Sequence, residues 1–174
     1  MILTRKQLLS LITSLIIIVG IWTLVGGFTT ETIHAETEVG VEIGMKAPDF
    51  TINNVNGNEV SLSDYQGTKV FLNFWASWCP PCKEEMPAIQ KLNKNYDDIK
   101  VITINSGENK DKVLNYMMEN NFSFTTLLDK NGKVTTDYLI RGIPSTFVID
   151  KEGIIVRKQR GAITYGKMEE MINQ

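Results

Sequence analysis

The sequence predicts an α/β fold: a central mixed sheet flanked by helices, with a β-hairpin at the amino-terminal end. Three observations predict it. The run Val70–Trp75 is largely apolar on both faces of a strand, the mark of a strand buried in the middle of a sheet. Strand-like and helix-like patterns alternate from there onward, which favours strands joined through helical crossovers. The chain then closes on a hairpin, Ser145–Asp150 and Ile154–Gln159 around Lys151-Glu152-Gly153.

Taken in order, Ala47–Asn53 and Glu59–Leu62 flank Asn56-Gly57, a strong hairpin signal. Gly67 ends a turn before the central strand. Cys79-Pro80-Pro81-Cys82 then opens a helix patterned by Met86, Ile89, Leu92 and Tyr96. Pro80 and Pro81 suit a first helical turn, where a missing N–H costs little. Pro87, farther in, is expected to bend the helix. Lys100–Asn105 reads as the next strand. Asp111–Asn120 reads as an amphipathic helix that turns Val113, Leu114, Met117 and Met118 to the core. Phe122–Leu128 follows as a strand and Val134–Tyr138 as a short helix. Thr164 can cap a last helix bearing Met168, Met171 and Ile172. No internal repeat and no second folded domain are visible.

A length of 174 residues allows one ordinary domain plus an appendage. The composition is globular, and from residue 39 onward 16 basic side chains stand against 17 acidic ones. That near-neutral body carries no basic stripe, which argues against a nucleic-acid partner. The appendage is apolar. Arg5 and Lys6 precede an uncharged stretch whose apolar part, Leu8–Phe28, would span about 31 Å as a helix. A hydrocarbon core is ~30 Å thick. Basic residues before it, and Glu31, Glu36 and Glu38 after it, put the amino terminus in the cytoplasm and the body outside. A cleaved signal peptide ending at Ala35 is the competing reading. The apolar run exceeds the ~7–15 residues of a signal core, and Ile33 fits the minus-three position poorly. Residues 1–30 are therefore read as a transmembrane anchor (or signal peptide), 31–41 as a linker and 42–174 as the folded domain.

The chemistry gathers at Cys79 and Cys82, the chain's only cysteines. A strand leading into Cys-x-x-Cys at a helix start reads as a dithiol/disulfide redox site. Cys79 lies beside unpaired N–H groups and the positive end of the helix dipole, which favour thiolate over thiol. Rival uses of the pair are weaker. A structural disulfide closing so short a loop stabilises little. Haem attachment needs a histidine after the second cysteine, where this chain has Lys83. Zinc needs four ligands, and the only histidine, His34, lies far upstream.

Three segments resemble the thioredoxin superfamily, and within it the membrane-tethered TlpA/ResA-like thiol–disulfide oxidoreductases. Phe74-Trp75-Ala76-Ser77-Trp78-Cys79-Pro80-Pro81-Cys82-Lys83 is similar to the active-site segment. Ile140-Arg141-Gly142-Ile143-Pro144-Ser145-Thr146 is similar to the cis-proline loop, and Gly44–Phe50 to the opening hairpin of the TlpA-like and peroxiredoxin branches. The resemblance covers about residues 42–174. It implies a thioredoxin-like fold with an amino-terminal β-hairpin and a central helix–strand insert within residues 106–130. It makes Cys79 the exposed nucleophile and Cys82 the buried resolving thiol. Ile143, cis-Pro144 and Trp78 become the surface that meets substrate, with Trp75 and Trp78 packed around the site. No metal and no cofactor beyond the redox-active disulfide are implied.

Asn73 stands where thioredoxin has a buried Asp, and Glu85 where the ResA-like branch carries a Glu three residues after its second cysteine. Glu85 has two readings. It is either a solvated helix acid, or a buried proton acceptor, at least half-buried between the helix and the cis-proline loop. The expected function is reduction of protein disulfides, in apocytochrome c or in cell-envelope or sporulation proteins. Electrons would come from a membrane thiol donor of the CcdA type. A monomer is expected, held in the cell membrane by a single pass with its catalytic domain outside. A thiol peroxidase is the nearest alternative, but Ala76 stands where peroxiredoxins place a Thr, and they lack Trp-Cys-x-x-Cys. A copper-delivery module would need a late histidine ligand, and none follows His34.

Overall fold

The computed structural model describes residues 37–173, together with Lys6, Ser14 and Ile16 ahead of them. The chain divides into one unit over Met1–Glu36 and a second over Thr37–Gln174. Apart from Lys6, Ser14 and Ile16, the anchor expected within residues 1–30 lies outside the described residues. Among those described, no helix is long and apolar enough to cross a membrane.

The second unit is built on five strands: β3 (Lys69–Trp75), β4 (Ile99–Ser106), β5 (Thr125–Asp129), β6 (Ser145–Ile149) and β7 (Ile155–Arg160). Their spatial order is β5-β4-β3-β6-β7. The β3–β4 and β4–β5 pairs are parallel, and the β3–β6 and β6–β7 pairs antiparallel, so the sheet is mixed as expected. A separate hairpin, β1 (Thr51–Asn53) with β2 (Glu59–Ser61), precedes them. Its turn forms because Asn54 Oδ1 accepts from the Asn56 and Asn58 N–H groups while Gly57 takes φ 91°.

Helices α1 (Pro80–Asn95), α2 (Lys110–Glu119), α3 (Lys133–Asp137) and α4 (Tyr165–Ile172) complete the domain. Side-chain caps start α2 and α4. Asn109 Oδ1 accepts from Lys112 N–H, and Thr164 Oγ1 accepts from Lys167 N–H. Helix α1 runs unbroken through Pro87, and Tyr96 caps its end.

β3 is buried along nearly its whole length, and its alternation divides two cores. Val70, Leu72 and Phe74 face Ile102, Ile104, Tyr138 and Phe147 on one side. Phe71 and Trp75 face Met86, Ile89 and Leu92 of α1 and Met168 and Ile172 of α4 on the other. Asn73 shares the α1 face by the same alternation, and this places a polar side chain beneath the helix that carries the cysteines.

Two sequence expectations change. Met118 is 60% exposed, whereas Val113 and Met117 fill the stripe that α2 buries. One residue beyond Met117 turns about 100° off that stripe. β5 begins at Thr125 rather than Phe122. Ser123 instead bonds to Gln90 of α1 through both its N–H and its hydroxyl, while Phe122 stacks on Phe124.

Candidate active site

The end of β3 delivers the chain into α1 at one edge of the sheet. Cys79 is the N-cap of α1, and its Sγ accepts from the Cys82 N–H at 3.3 Å. Pro80 and Pro81 occupy the first helical positions, so the two N–H groups they lack would have gone unpaired anyway. Cys79 and Cys82 are joined as a disulfide, with Cα atoms 5.3 Å apart. No other cysteine exists to compete for either sulfur.

The peptide bond Ile143–Pro144 is cis, and the Ile143 carbonyl oxygen lies 3.7 Å from Cys79 Sγ. The structure thus brings Cys79, Cys82, Ile143 and Pro144 together. Cys79 is less open than expected, being 4% exposed in this disulfide form because the Ile143–Pro144 segment lies against its sulfur. Trp75 packs as expected, fully buried, with its Nε1 donating to Thr103 Oγ1. Trp78 does not pack. It is 63% exposed, an apolar side chain presented to solvent next to Cys79 in the chain.

Glu85 lies one turn beyond Cys82 on the buried side of α1, only 2% exposed. It is buried, deeper than half-buried, and not a solvated acid. Both of its hydrogen bonds come from outside the cis-proline loop. Oε1 accepts from Asn73 Nδ2 at 2.8 Å, and Oε2 from the Ile163 N–H at 3.0 Å. Asn73 Nδ2 also donates to Thr146 Oγ1, two residues after Pro144, and so links the carboxyl to that loop at one remove. Burial pushes the Glu85 pKa up from 4.5 to about 7, and the bonds from Ile163 and Asn73 only partly oppose it.

A second carboxylate escaped the sequence reading. Glu108, 6% exposed, follows β4 and reaches under the loop between β3 and α1. It accepts from the Ser77 N–H at 2.6 Å, Ser77 Oγ at 2.7 Å and Asn105 Nδ2 at 2.8 Å, and it pairs with Lys112 Nζ at 2.7 Å. Burial alone would raise its pKa. The bonds from Asn105, Lys112 and Ser77 outweigh that and bring it from 4.5 down to about 2. The effect is to hold Ser77, two residues before Cys79, on a fixed negative charge. Among the described residues no cluster of three or more His, Cys, Asp or Glu could hold a metal ion.

A buried cysteine pair at a strand-to-helix junction, beside a cis-proline, is an arrangement for exchanging thiols and disulfides. The AhpC/TSA family model matches residues 43–158, which runs from the start of the domain into β7. The chain belongs to the AhpC/TSA family. It is 36% identical to the thioredoxin-like protein YneN of Bacillus subtilis over 84% of this chain and 88% of that one. Identity to the thiol–disulfide oxidoreductase ResA of Bacillus cereus is 32%, over 85% and 87% of the two chains. The solved structure of StoA from Bacillus subtilis superposes with a TM-score of 0.64 at 30% identity, covering 72% of this chain and 96% of that one. With the thioredoxin-like fold and the bonded Cys-x-x-Cys pair, this makes the chain a thiol–disulfide oxidoreductase of the ResA and StoA type.

Two predictions follow from the carboxylates. Between about pH 4.5 and 7 the folded chain keeps the Glu85 proton that an unfolded chain releases, so stability falls as pH rises through that window. The full effect is about 3 kcal/mol. Denaturant unfolding of Glu85→Gln between pH 4 and 8 is expected to show that slope removed, and an unaltered slope would put the titration elsewhere. Glu108 has the opposite sign: its contribution is present above pH 4.5 and is lost as pH falls toward 2. Glu108→Gln should cost about 1–3 kcal/mol at pH 7 and progressively less below pH 4. An unchanged urea midpoint at pH 7 would show that the cage around Glu108 adds nothing.

Proposed function

We propose that this chain reduces protein disulfides outside the cytoplasm, held to the membrane by an uncleaved anchor at Leu8–Phe28. The observation that carries the reading is the buried Glu85 carboxyl, poised near neutrality one turn behind Cys82. A carboxyl of ordinary pKa would stay ionised through the cycle; one near 7 can take a proton and return it.

In the reduced chain the Cys79 thiolate attacks one sulfur of the substrate disulfide. That S–S bond breaks, and the departing substrate thiolate takes a proton from water. A mixed disulfide now joins Cys79 to the substrate. Cys82 passes its thiol proton to Glu85 and attacks Cys79 Sγ. The mixed disulfide breaks, the second substrate thiolate leaves, and the proton held by Glu85 passes to that thiolate. Two electrons and two protons have passed to the substrate, and the chain is left with its Cys79–Cys82 disulfide. Asn73 suits both states of Glu85. Its Nδ2 donates to the carboxylate, and its Oδ1, unpartnered among the described residues, can accept from the protonated acid after the amide turns over.

The redox group is the cysteine pair itself, so the cycle needs no bound cofactor or metal. Ile143 and the exposed Trp78 offer the surface that the substrate meets, with the buried Pro144 shaping the loop behind them. Plausible substrates carry accessible disulfides in the cell envelope, apocytochrome c or sporulation proteins among them. A membrane thiol donor of the CcdA type would restore the dithiol, and a monomer suffices for every step.

Cys82→Ser should accumulate a mixed disulfide through Cys79, whereas Cys79→Ser should form none. Stopped-flow resolution should slow about 10²-fold in Glu85→Gln, the low end of what a positioned base contributes. Glu84→Gln is the control, since Glu84 is exposed on the same helix. Equal rates in the two Gln variants would remove Glu85 from the mechanism. Direction and location are checked together in cells. Alkylation trapping should find the pair mostly reduced, in a product that resists alkaline carbonate extraction. A mostly oxidised pair would mean an oxidase, and a soluble product beginning at Glu36 would mean a cleaved leader.

A further inference from the structure

Leu139 is placed against the preferences of folding. Its φ is +49°, in the left-handed region, where the Cβ of an L-residue crowds the following carbonyl. It closes α3: its N–H donates to the Thr136 carbonyl at 2.9 Å, and the Ile140 N–H reaches the Thr135 carbonyl at 2.9 Å. That pair of bonds is a Schellman closure, whose left-handed residue is usually Gly and sometimes Asn. The other positive-φ positions among the described residues follow the rule, with glycines and Asn121. Only Leu139 puts an apolar side chain there, and it gains no burial in return, being 60% exposed. Strain and exposure that nothing in the fold offsets point to a contact made outside it.

The surroundings say what kind. Leu139 is four residues before Ile143, whose carbonyl touches the disulfide, and four residues of chain span at most ~14 Å. It lines a shallow cleft with Ser145, Gln159 and Arg160, beside the end of the cis-proline loop. Arg141 and Arg160 are exposed there, and neither forms an ion pair among the described residues. Glu42 lies near enough for Arg160 to help lower its pKa, but its carboxylate is engaged first by Lys158 at 2.8 Å. The patch is therefore apolar at its centre, positive at its margin and continuous with the reactive surface.

We propose that Leu139, Arg141 and Arg160 dock the polypeptide whose disulfide Cys79 attacks, by receiving an apolar side chain flanked by carboxylates about four residues from the cysteine under attack. This rests on the reading that protein disulfides are the substrates. The substrate is the occupant the geometry favours, because Arg160 pairs with Ser145, the residue after Pro144, and the Gly161 N–H donates to the Pro144 carbonyl at 2.8 Å, so the patch adjoins the loop that lies against Cys79. The positive margin favours acidic neighbours.

The test uses full-length protein and peptides closed by an internal disulfide. One pair of peptides carries Glu-Leu-Glu four residues before or after the attacked cysteine, and a matched pair carries Lys-Ser-Lys. The wild type should prefer the first pair about tenfold in kcat/KM, with most of the difference in KM. Leu139→Gly should reduce the preference to about twofold while the melting temperature stays level or rises, since glycine relieves the backbone strain. Arg141→Glu should shift the preference toward the lysine peptides. Equal kcat/KM for the two pairs in wild type, with oxidised glutathione still reduced, would overturn the docking element and leave the dithiol chemistry standing. If glutathione is not reduced either, the proposed function fails with it. A lowered melting temperature in Leu139→Gly with the preference intact would make Leu139 structural. Loss in that variant of self-association by sedimentation, or of binding to anionic vesicles, with no peptide preference in wild type, would assign the patch to a second copy or to a membrane and overturn the proposal.

Discussion

The structure depends on burying one strand from both sides. β3 has no solvent face, so its alternation distributes side chains between two cores rather than between core and water. The consequence for chemistry is one of register. Phe71, Asn73 and Trp75 are committed to the α1 side because Val70, Leu72 and Phe74 are required on the other. A slip of one residue would drive Asn73 among Ile102, Ile104 and Phe147 and strip Glu85 of a hydrogen bond. The apolar packing that makes the domain stable is thus also what holds the polar group behind the cysteines.

Two buried carboxylates support the cysteine-bearing end of α1, and the fold treats them oppositely. Glu85 has two donors and Glu108 four, one of them a lysine ammonium. Burial raises the pKa of both. Two neutral donors cannot offset it, so Glu85 rests near 7; three neutral donors and a cation more than offset it, so Glu108 falls to about 2. The first becomes a group that can exchange protons at ambient pH. The second is a permanent anion whose use is mechanical, gripping Ser77 so that the loop enters α1 at one angle. Side chains of one type have been given separate tasks by the number and charge of their partners.

Much of this was legible in the sequence because local rules and the fold agree. The two-faced apolar run, the hairpin glycines, Thr164 as a cap, and Cys-x-x-Cys at a helix start all announce themselves through period or conformation. The cis bond at Pro144 was legible only by resemblance. What stayed hidden was set by contacts between distant segments. Glu108 sits in Ser-Gly-Glu-Asn-Lys, a stretch that reads as solvated turn, and its burial arises only when the β4–α2 connection folds over Ser77. Glu85 was visible as a candidate, but its depth and its bond to the Ile163 N–H depend on the loop before α4, 78 residues away. Met118 was misplaced because an apolar residue beside a stripe cannot be told from one within it until the helix is docked.

Four departures from local rules lie on or behind the edge that carries the disulfide. Glu85 is an acid buried with too few donors to keep it ionised comfortably. Asn73 carries an oxygen with no partner among the described residues. Trp78 is a large apolar ring left in solvent beside a reactive sulfur, and Leu139 adopts a backbone that glycine would adopt more cheaply. Each carries a cost in the isolated fold, and a sequence selected for stability alone would remove it. Their convergence around Cys79 separates into two sets by depth. The buried exceptions, Glu85 and Asn73, concern where a proton goes; the exposed ones, Trp78 and Leu139, concern what the sulfur meets.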